Sequence, residues 1–112
     1  MTHSCDVAVI GGGPAGSTAA YALAKKGWRV VLFEKERHPR FHIGESLLPM
    51  NQPVFEQIGV LDEVKRIGVY KPGAEFYDVD PKQPPHRFYF RDALDKNFPD
   101  AYQVRRDQLD EV

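Results

Sequence analysis

Six residues near the amino terminus, Gly11-Gly12-Gly13-Pro14-Ala15-Gly16, carry glycine at the first, third and sixth positions. That spacing suits a turn that receives phosphates. Gly11 permits the sharp exit from a strand, Gly13 lets backbone approach a pyrophosphate with no Cβ in between, and Gly16 lets the next helix lie close against the sheet. Pro14 and Ala15 open that helix, and Pro14 lacks an N–H that the first turn would leave unpaired anyway. The remaining free amides and the positive end of the helix dipole then face the phosphates. Glu34 follows 18 residues after Gly16, at the end of a second apolar run. A carboxylate there accepts hydrogen bonds from both hydroxyls of an adenosine ribose and repels a 2′-phosphate. A glycine cluster alone also makes ordinary loops, and a strand-end glutamate alone is often solvated. The succession of strand, turn, helix and acid selects an ADP-containing cofactor without a 2′-phosphate, FAD or NAD, and does not separate the two.

Other residues with chemical capacity are weaker signals. Lys35 and Arg40, in the polar loop after Glu34, are cations placed to meet phosphates, whereas Arg37 reads equally well as a solvated charge. Lys71 opens the stretch Lys71-Pro72-Gly73-Ala74 and reads at first sight as an exposed lysine beginning a turn. His38, His42 and His86 have no helical metal-pair spacing and no cysteine beside them, so no metal site is expected. No Ser-His-Asp order and no nucleophile elbow occurs, and Cys5, ahead of the first strand, reads as inert. Trp28, Phe33, Phe55 and Phe88-Tyr89-Phe90 read as core or sheet faces rather than as stacking partners of a cofactor.

The elements that must position these residues follow from apolar runs and stop signals. Residues 7–10 are a short β-rich run of the kind buried on both faces of a parallel sheet. Small helix formers over 14–26, with Lys25 and Lys26 at the end and Gly27 after it, predict a helix, and 28–33 predict a second strand. Beyond a polar loop, helices are predicted over 47–58 and onward to 67, the latter with Asp62 and Arg66 at i, i+4. Pro72 and Gly73 occupy the central positions of a type II turn. Strands over 75–79 and 87–91 could then pair antiparallel. Asp107 is a good N-cap for a last helix that has barely one turn before the sequence stops, which predicts that these residues are the front of a longer polypeptide, a frayed tail being the alternative.

Composition bounds the function classes. With 112 residues the upper limit is one compact domain, and seven of the nine prolines fall between Pro39 and Pro85, so the regular pattern belongs to the first third. The 15 Lys+Arg and 16 Asp+Glu leave a formal charge of −1 with no basic run, which places nucleic acid and membrane surfaces outside the expected partners. One cysteine closes no intrachain disulfide. Residues 1–6 show neither a basic nor an apolar leader segment, and no apolar stretch reaches the ~20 residues of a spanning helix, so the expected setting is cytoplasmic.

The turn with Phe33-Glu34-Lys35, followed by Phe41-His42-Ile43-Gly44-Glu45-Ser46-Leu47-Leu48-Pro49, resembles the flavin-dependent halogenase family, a branch of the FAD monooxygenase-like superfamily. Lys71-Pro72-Gly73-Ala74-Glu75-Phe76 and Gln103-Val104-Arg105-Arg106 through Leu109-Asp110 extend the likeness across essentially the whole chain. The Gly-Glu-Ser-Leu-x-Pro stretch is its more specific part. The resemblance implies an α/β, Rossmann-type FAD/NAD(P)-binding fold, here its N-terminal part: a dinucleotide-binding core over 1–68, the start of a mixed β substrate-side element over 69–104, and a truncated helix over 105–112. It implies FAD as cofactor, with Glu34 at the ribose, Gly44, Glu45 and Ser46 near pyrophosphate and flavin, and Arg40 and Arg106 as further contacts. It implies Lys71 as the lysine that receives hypohalous acid. Reduced FAD, oxygen and halide would act on an electron-rich organic substrate, free or carrier-bound, with a separate flavin reductase as electron source. A hydroxylase or geranylgeranyl-reductase-like enzyme on the same scaffold, or an inactive nucleotide-binding fragment, are the alternatives.

Overall fold

The structure, a computed structural model, describes residues 4–112. The first three residues of the stretch read for a leader lie outside the described residues. Two short apolar runs form β1 (Val7–Ile10) and β2 (Val30–Phe33), parallel, with Val7 opposite Val30 and Ile10 opposite Phe33. Parallel neighbours need a crossover, and α1 (Pro14–Lys25) supplies it, giving the βαβ unit of a Rossmann-type fold. Gly16 sets how closely α1 approaches: a Cβ there would lie 1.8 Å from the Gly11 carbonyl oxygen. Gly27, at φ +88°, ends the helix, its N–H donating to the Ala24 carbonyl at 2.9 Å. The first strand is not buried on both faces as expected. It alternates half-buried with exposed residues, and Ile10 is 90% exposed, because α1 covers one face of these two strands.

Contacts divide the chain into two units, residues up to His42 together with Arg106–Val112, and Ile43–Arg105. These boundaries differ from 1–68, 69–104 and 105–112. The residues over 43–68 belong with the later strands: Gln52 donates to the Asp100 carbonyl at 2.6 Å, and Gly68 abuts Tyr102 so closely that a Cβ would meet it at 2.9 Å.

In the second unit α2 (Asn51–Ile58) and α3 (Leu61–Ile67) pack together. β3 (Val69–Lys71) pairs antiparallel with β6 (Ala101–Gln103), and β4 (Gly73–Phe76) pairs antiparallel with β5 (His86–Tyr89). Phe55, Val64, Phe90, Ala101 and Val104 form the buried apolar core here. Of the aromatics read as core or sheet faces, Trp28, Phe33 and Phe88 are exposed, the last two on strands β2 and β5. The helix expected from residue 47 starts at Asn51, because Ser46 bridges Gln103 and the Leu47 N–H donates to Tyr102 O at 3.0 Å. Arg66 pairs with Glu63 at 2.6 Å, not with Asp62.

The type II turn at 71–74 is also corrected. Extended backbone runs from β3 into β4 with Pro72 between them, and the Pro72 carbonyl accepts from the Phe90 N–H at 2.9 Å. Gly73 serves close approach: a Cβ there would stand 2.1 Å from Phe88 O. In the first unit α4 (Arg106–Leu109) begins one residue before the expected cap, so Asp107 lies inside its first turn and its carboxylate accepts from the Gln108 N–H at 3.0 Å.

Candidate functional site

The glycine turn is built as a ligand cradle. Gly11 adopts φ +101°, where only glycine is unstrained, and its N–H donates to Phe33 O at 2.7 Å, locking the turn to the end of β2. Gly13 is the N-cap of α1, in extended conformation with no side chain capping the helix and no acid in the first turn. The amides at that end are thus left for a ligand. Around the Gly13 Cβ position no protein atom lies within 4 Å. Glycine at 13 therefore answers no internal packing need, in contrast to Gly16. A cavity of about 540 Å³ opens beside the turn, lined by Gly11, Gly13, Glu34, Lys35, Arg40 and His42 among others. Phe33 also lines it. Pro14, Ala15 and Gly16 shape the helix start behind it. The residues fit the ADP half of a dinucleotide: an open glycine and free amides for phosphates, cations beside them, and a carboxylate at the strand end.

Glu34 has a second task that spacing did not reveal. Its Oε2 accepts from the Gly12 N–H at 2.6 Å and its Oε1 from the Glu36 N–H at 2.8 Å. Each oxygen keeps a lone pair for a ribose hydroxyl. The amides of Glu36 and then Gly12 hold this carboxyl below its ordinary value of 4.5. A depressed carboxylate stabilises the fold fully above its unfolded pKa and loses that contribution as pH falls through the folded value. Glu34→Gln is accordingly expected to lower the melting temperature at about pH 6 and to cost progressively less at a second, acidic pH well below 4.5, as wild type takes up its proton there. An equal gap between the two proteins at both pH values would remove the turn-holding role.

The fold gathers three residues that the sequence reading left apart. One nitrogen each of His38 and His42 and one oxygen of Asp110 lie within 4.8 Å of one another. The reading that these histidines have no metal-pair spacing is corrected here: His38 and His42 stand four residues apart, and the acid that joins them comes from the far end of the chain. Asp110 is 1% exposed in its side chain. Its Oδ1 accepts from Arg106 Nε at 3.2 Å and Nη2 at 3.1 Å, and its Oδ2 is 2.7 Å from His42 Nδ1 and 3.8 Å from His38 Nδ1. Two ligands of one tetrahedral ion, each about 2.0–2.2 Å from it, stand farther apart than that shorter distance. With a guanidinium already on the carboxylate, the group reads as a hydrogen-bonding unit.

In the second unit the Gly44-Glu45-Ser46 segment runs along β6. Glu45 O accepts from the Val104 N–H at 2.8 Å, Gly44 has φ +98°, and Ser46 bridges Gln103. Lys71 closes on this segment: its ammonium donates to Ser46 Oγ and, at 3.3 Å, to Leu47 O, and it stands 5.5 Å from the centre of the Phe90 ring. It is half-buried rather than an exposed turn residue. Two stretches quoted separately in the sequence are thus brought together.

The family profile described as tryptophan halogenase matches residues 6–108, and the chain belongs to that family. It is 40% identical to flavin-dependent halogenase gsfI of Penicillium aethiopicum over 114 residues, covering 100% of this chain and 21% of that protein. It is 43% identical to the 1H-pyrrole-2-carbonyl-[peptidyl-carrier protein] chlorinase of Pseudomonas fluorescens over 100 residues, covering 88% of this chain and 22% of that protein. Among solved structures, the myxobacterial chondrochloren halogenase CndH superposes with a TM-score of 0.83 at 42% identity, over 96% of this chain and 25% of that one. A flavoprotein/dehydrogenase from Cytophaga hutchinsonii gives a TM-score of 0.85 at 38% identity, over 97% and 26%. The chain thus spans about a fifth of the length of the relatives it matches. Its fold is the Rossmann-type FAD-binding fold of these proteins. No helix among the described residues is long and apolar enough to cross a membrane.

Proposed function

We propose that this chain forms the nucleotide-binding front of an FAD-dependent halogenase acting on an electron-rich organic substrate. Gly11, Gly13, Lys35 and Arg40 would hold the cofactor's phosphates and Glu34 its adenosine ribose. Bound and reduced, FAD supplies the oxygen-dependent oxidation of halide. The protein's own residues bind it, keep the turn fixed and place an ammonium. The observation that carries the halogenase reading is the closure of Lys71 onto Ser46 and Leu47, which puts a half-buried, directed amine on the segment that marks the family. An amine held this way can hydrogen-bond hypohalous acid or combine with it, which oxygen insertion does not require.

Substrate delivery on a carrier protein, as in the pyrrolyl relative, and a separate flavin reductase belong to the same proposal, as does a cytoplasmic setting, supported by the single cysteine. The test is product analysis by mass spectrometry with the intact polypeptide, reduced FAD, oxygen and a panel of phenols and pyrroles, with and without bromide. Halide-dependent brominated product supports the reading. Oxygenated product formed equally well without halide replaces it with the hydroxylase.

A further inference from the structure

We propose that His42 is a contact of the cofactor's pyrophosphate, and that Asp110, clamped by Arg106, is the positioning residue that orients its ring. The proposal rests on the FAD reading and deepens it. His42 belongs to two constellations at once. It lines the cavity that also holds Gly11, Gly13, Lys35 and Arg40, and its Nδ1 lies 2.7 Å from Asp110 Oδ2. Both of those atoms are buried, and neither makes a regular hydrogen bond elsewhere. Arg106 takes the other carboxylate oxygen, so Asp110 is held from behind and Oδ2 remains for the imidazole. With Nδ1 committed to Asp110, Nε2 is the nitrogen left for a ligand in the cavity.

The chemistry of the cavity decides which ligand atoms those are. Open glycine backbone at the start of a helix, with two cations beside it, suits an anion, and a phosphate oxygen requires a donor from Nε2. A ring that donates from both nitrogens is an imidazolium, and the carboxylate behind it offsets that charge. The charged and titratable groups that share the ring's cluster or its cavity are Asp110, with Arg106 behind it, from the C-terminal segment, His38 from its own loop, and Arg40, Lys35 and Glu34 in the cavity lining. In this account Arg106 acts on the cofactor through Asp110 and His42.

The experiment is equilibrium titration of the intact polypeptide with FAD and with ADP, which share the pyrophosphate, together with thermal melts of the cofactor-free proteins. His42→Asn keeps an amide donor near the Nδ1 position and removes the one at Nε2, and is expected to weaken both ligands roughly tenfold, the loss of one hydrogen bond to a charged group. His42→Gln restores a donor near Nε2 and is expected to recover affinity to within about threefold. The cofactor-free melts should show both variants folded at the titration temperature. Undiminished binding by His42→Asn, or no recovery in His42→Gln, would overturn the proposal. So would a melt raised by zinc ions in wild type alone, which would make the trio a metal site. Wild type that binds neither FAD nor ADP would overturn both this proposal and the cofactor reading beneath it.

Discussion

Replacing Lys71 with alanine is expected to leave flavin oxidation and oxygen consumption close to wild type while halogenated product falls by about a hundredfold or more, the scale of losing a positioned group that hydrogen-bonds the reacting species. The two readouts separate because reaction of reduced flavin with oxygen needs no amine, whereas combining with hypohalous acid does, and the ammonium of Lys71 is directed by Ser46 Oγ and Leu47 O. Removing the amine leaves the glycine turn and Glu34 untouched. The folding cost should be moderate, on the order of 1 kcal/mol, because a half-buried side chain loses two hydrogen bonds and a ring contact. Oxygen uptake by electrode and product by mass spectrometry, in the presence of bromide, check the separation. Halogenation that survives in Lys71→Ala would take the catalytic role away from this residue.

The second large effect belongs to Gly13. A Cβ there meets no atom of a non-neighbouring residue within 4 Å, and the backbone, φ −70° and ψ −178°, is ordinary for any residue. The fold should tolerate the change at the cost of a less suitable N-cap, about 1 kcal/mol or less and a few degrees of melting temperature. The added methyl groups stand where the pyrophosphate must approach, so FAD affinity should fall at least about a hundredfold. Gly16→Ala should do the reverse damage. Its Cβ would lie 1.8 Å from Gly11 O, which displaces α1 from β1 before any ligand is involved. Calorimetric titration and thermal melts of the two variants check this pair. A Gly13→Val protein that binds FAD like wild type would mean that the open space at residue 13 is not the phosphate site.

How far the sequence disclosed this molecule depended on whether a signal was local. The βαβ unit was legible because its parts lie within thirty residues and glycine has distinct tasks at positions 11, 13 and 16. The antiparallel pairing of residues near 75 with those near 87 was legible for the same reason. Pro72-Gly73 misled because the dipeptide that makes a type II turn also suits extended backbone when another strand crowds the glycine, and only the neighbour, Phe88, decides between them. The late start of α2 has a similar origin: residues 46 and 47 are helix-compatible, yet β6, more than fifty residues on, recruits their backbone. Exposure of Ile10 and Phe33 escaped the pattern because an apolar run tells what a strand can bury, not how many layers cover it. Of the site, the glycine turn and Glu34 were readable. The Asp110 clamp on His42 was not, since nothing in local spacing links a loop after β2 to the last turn of the chain.

The central claim is that the cavity beside the turn holds the ADP half of FAD, and competitive titration of the intact polypeptide tests it most directly. Both Glu34 and the Gly13 end of α1 address atoms that FAD shares with ADP and that FMN lacks, the adenosine ribose and the second phosphate. The predicted result is that ADP displaces FAD and that FMN binds at least about tenfold more weakly than FAD. FMN binding as tightly as FAD, or FAD that ADP cannot displace, would contradict the account.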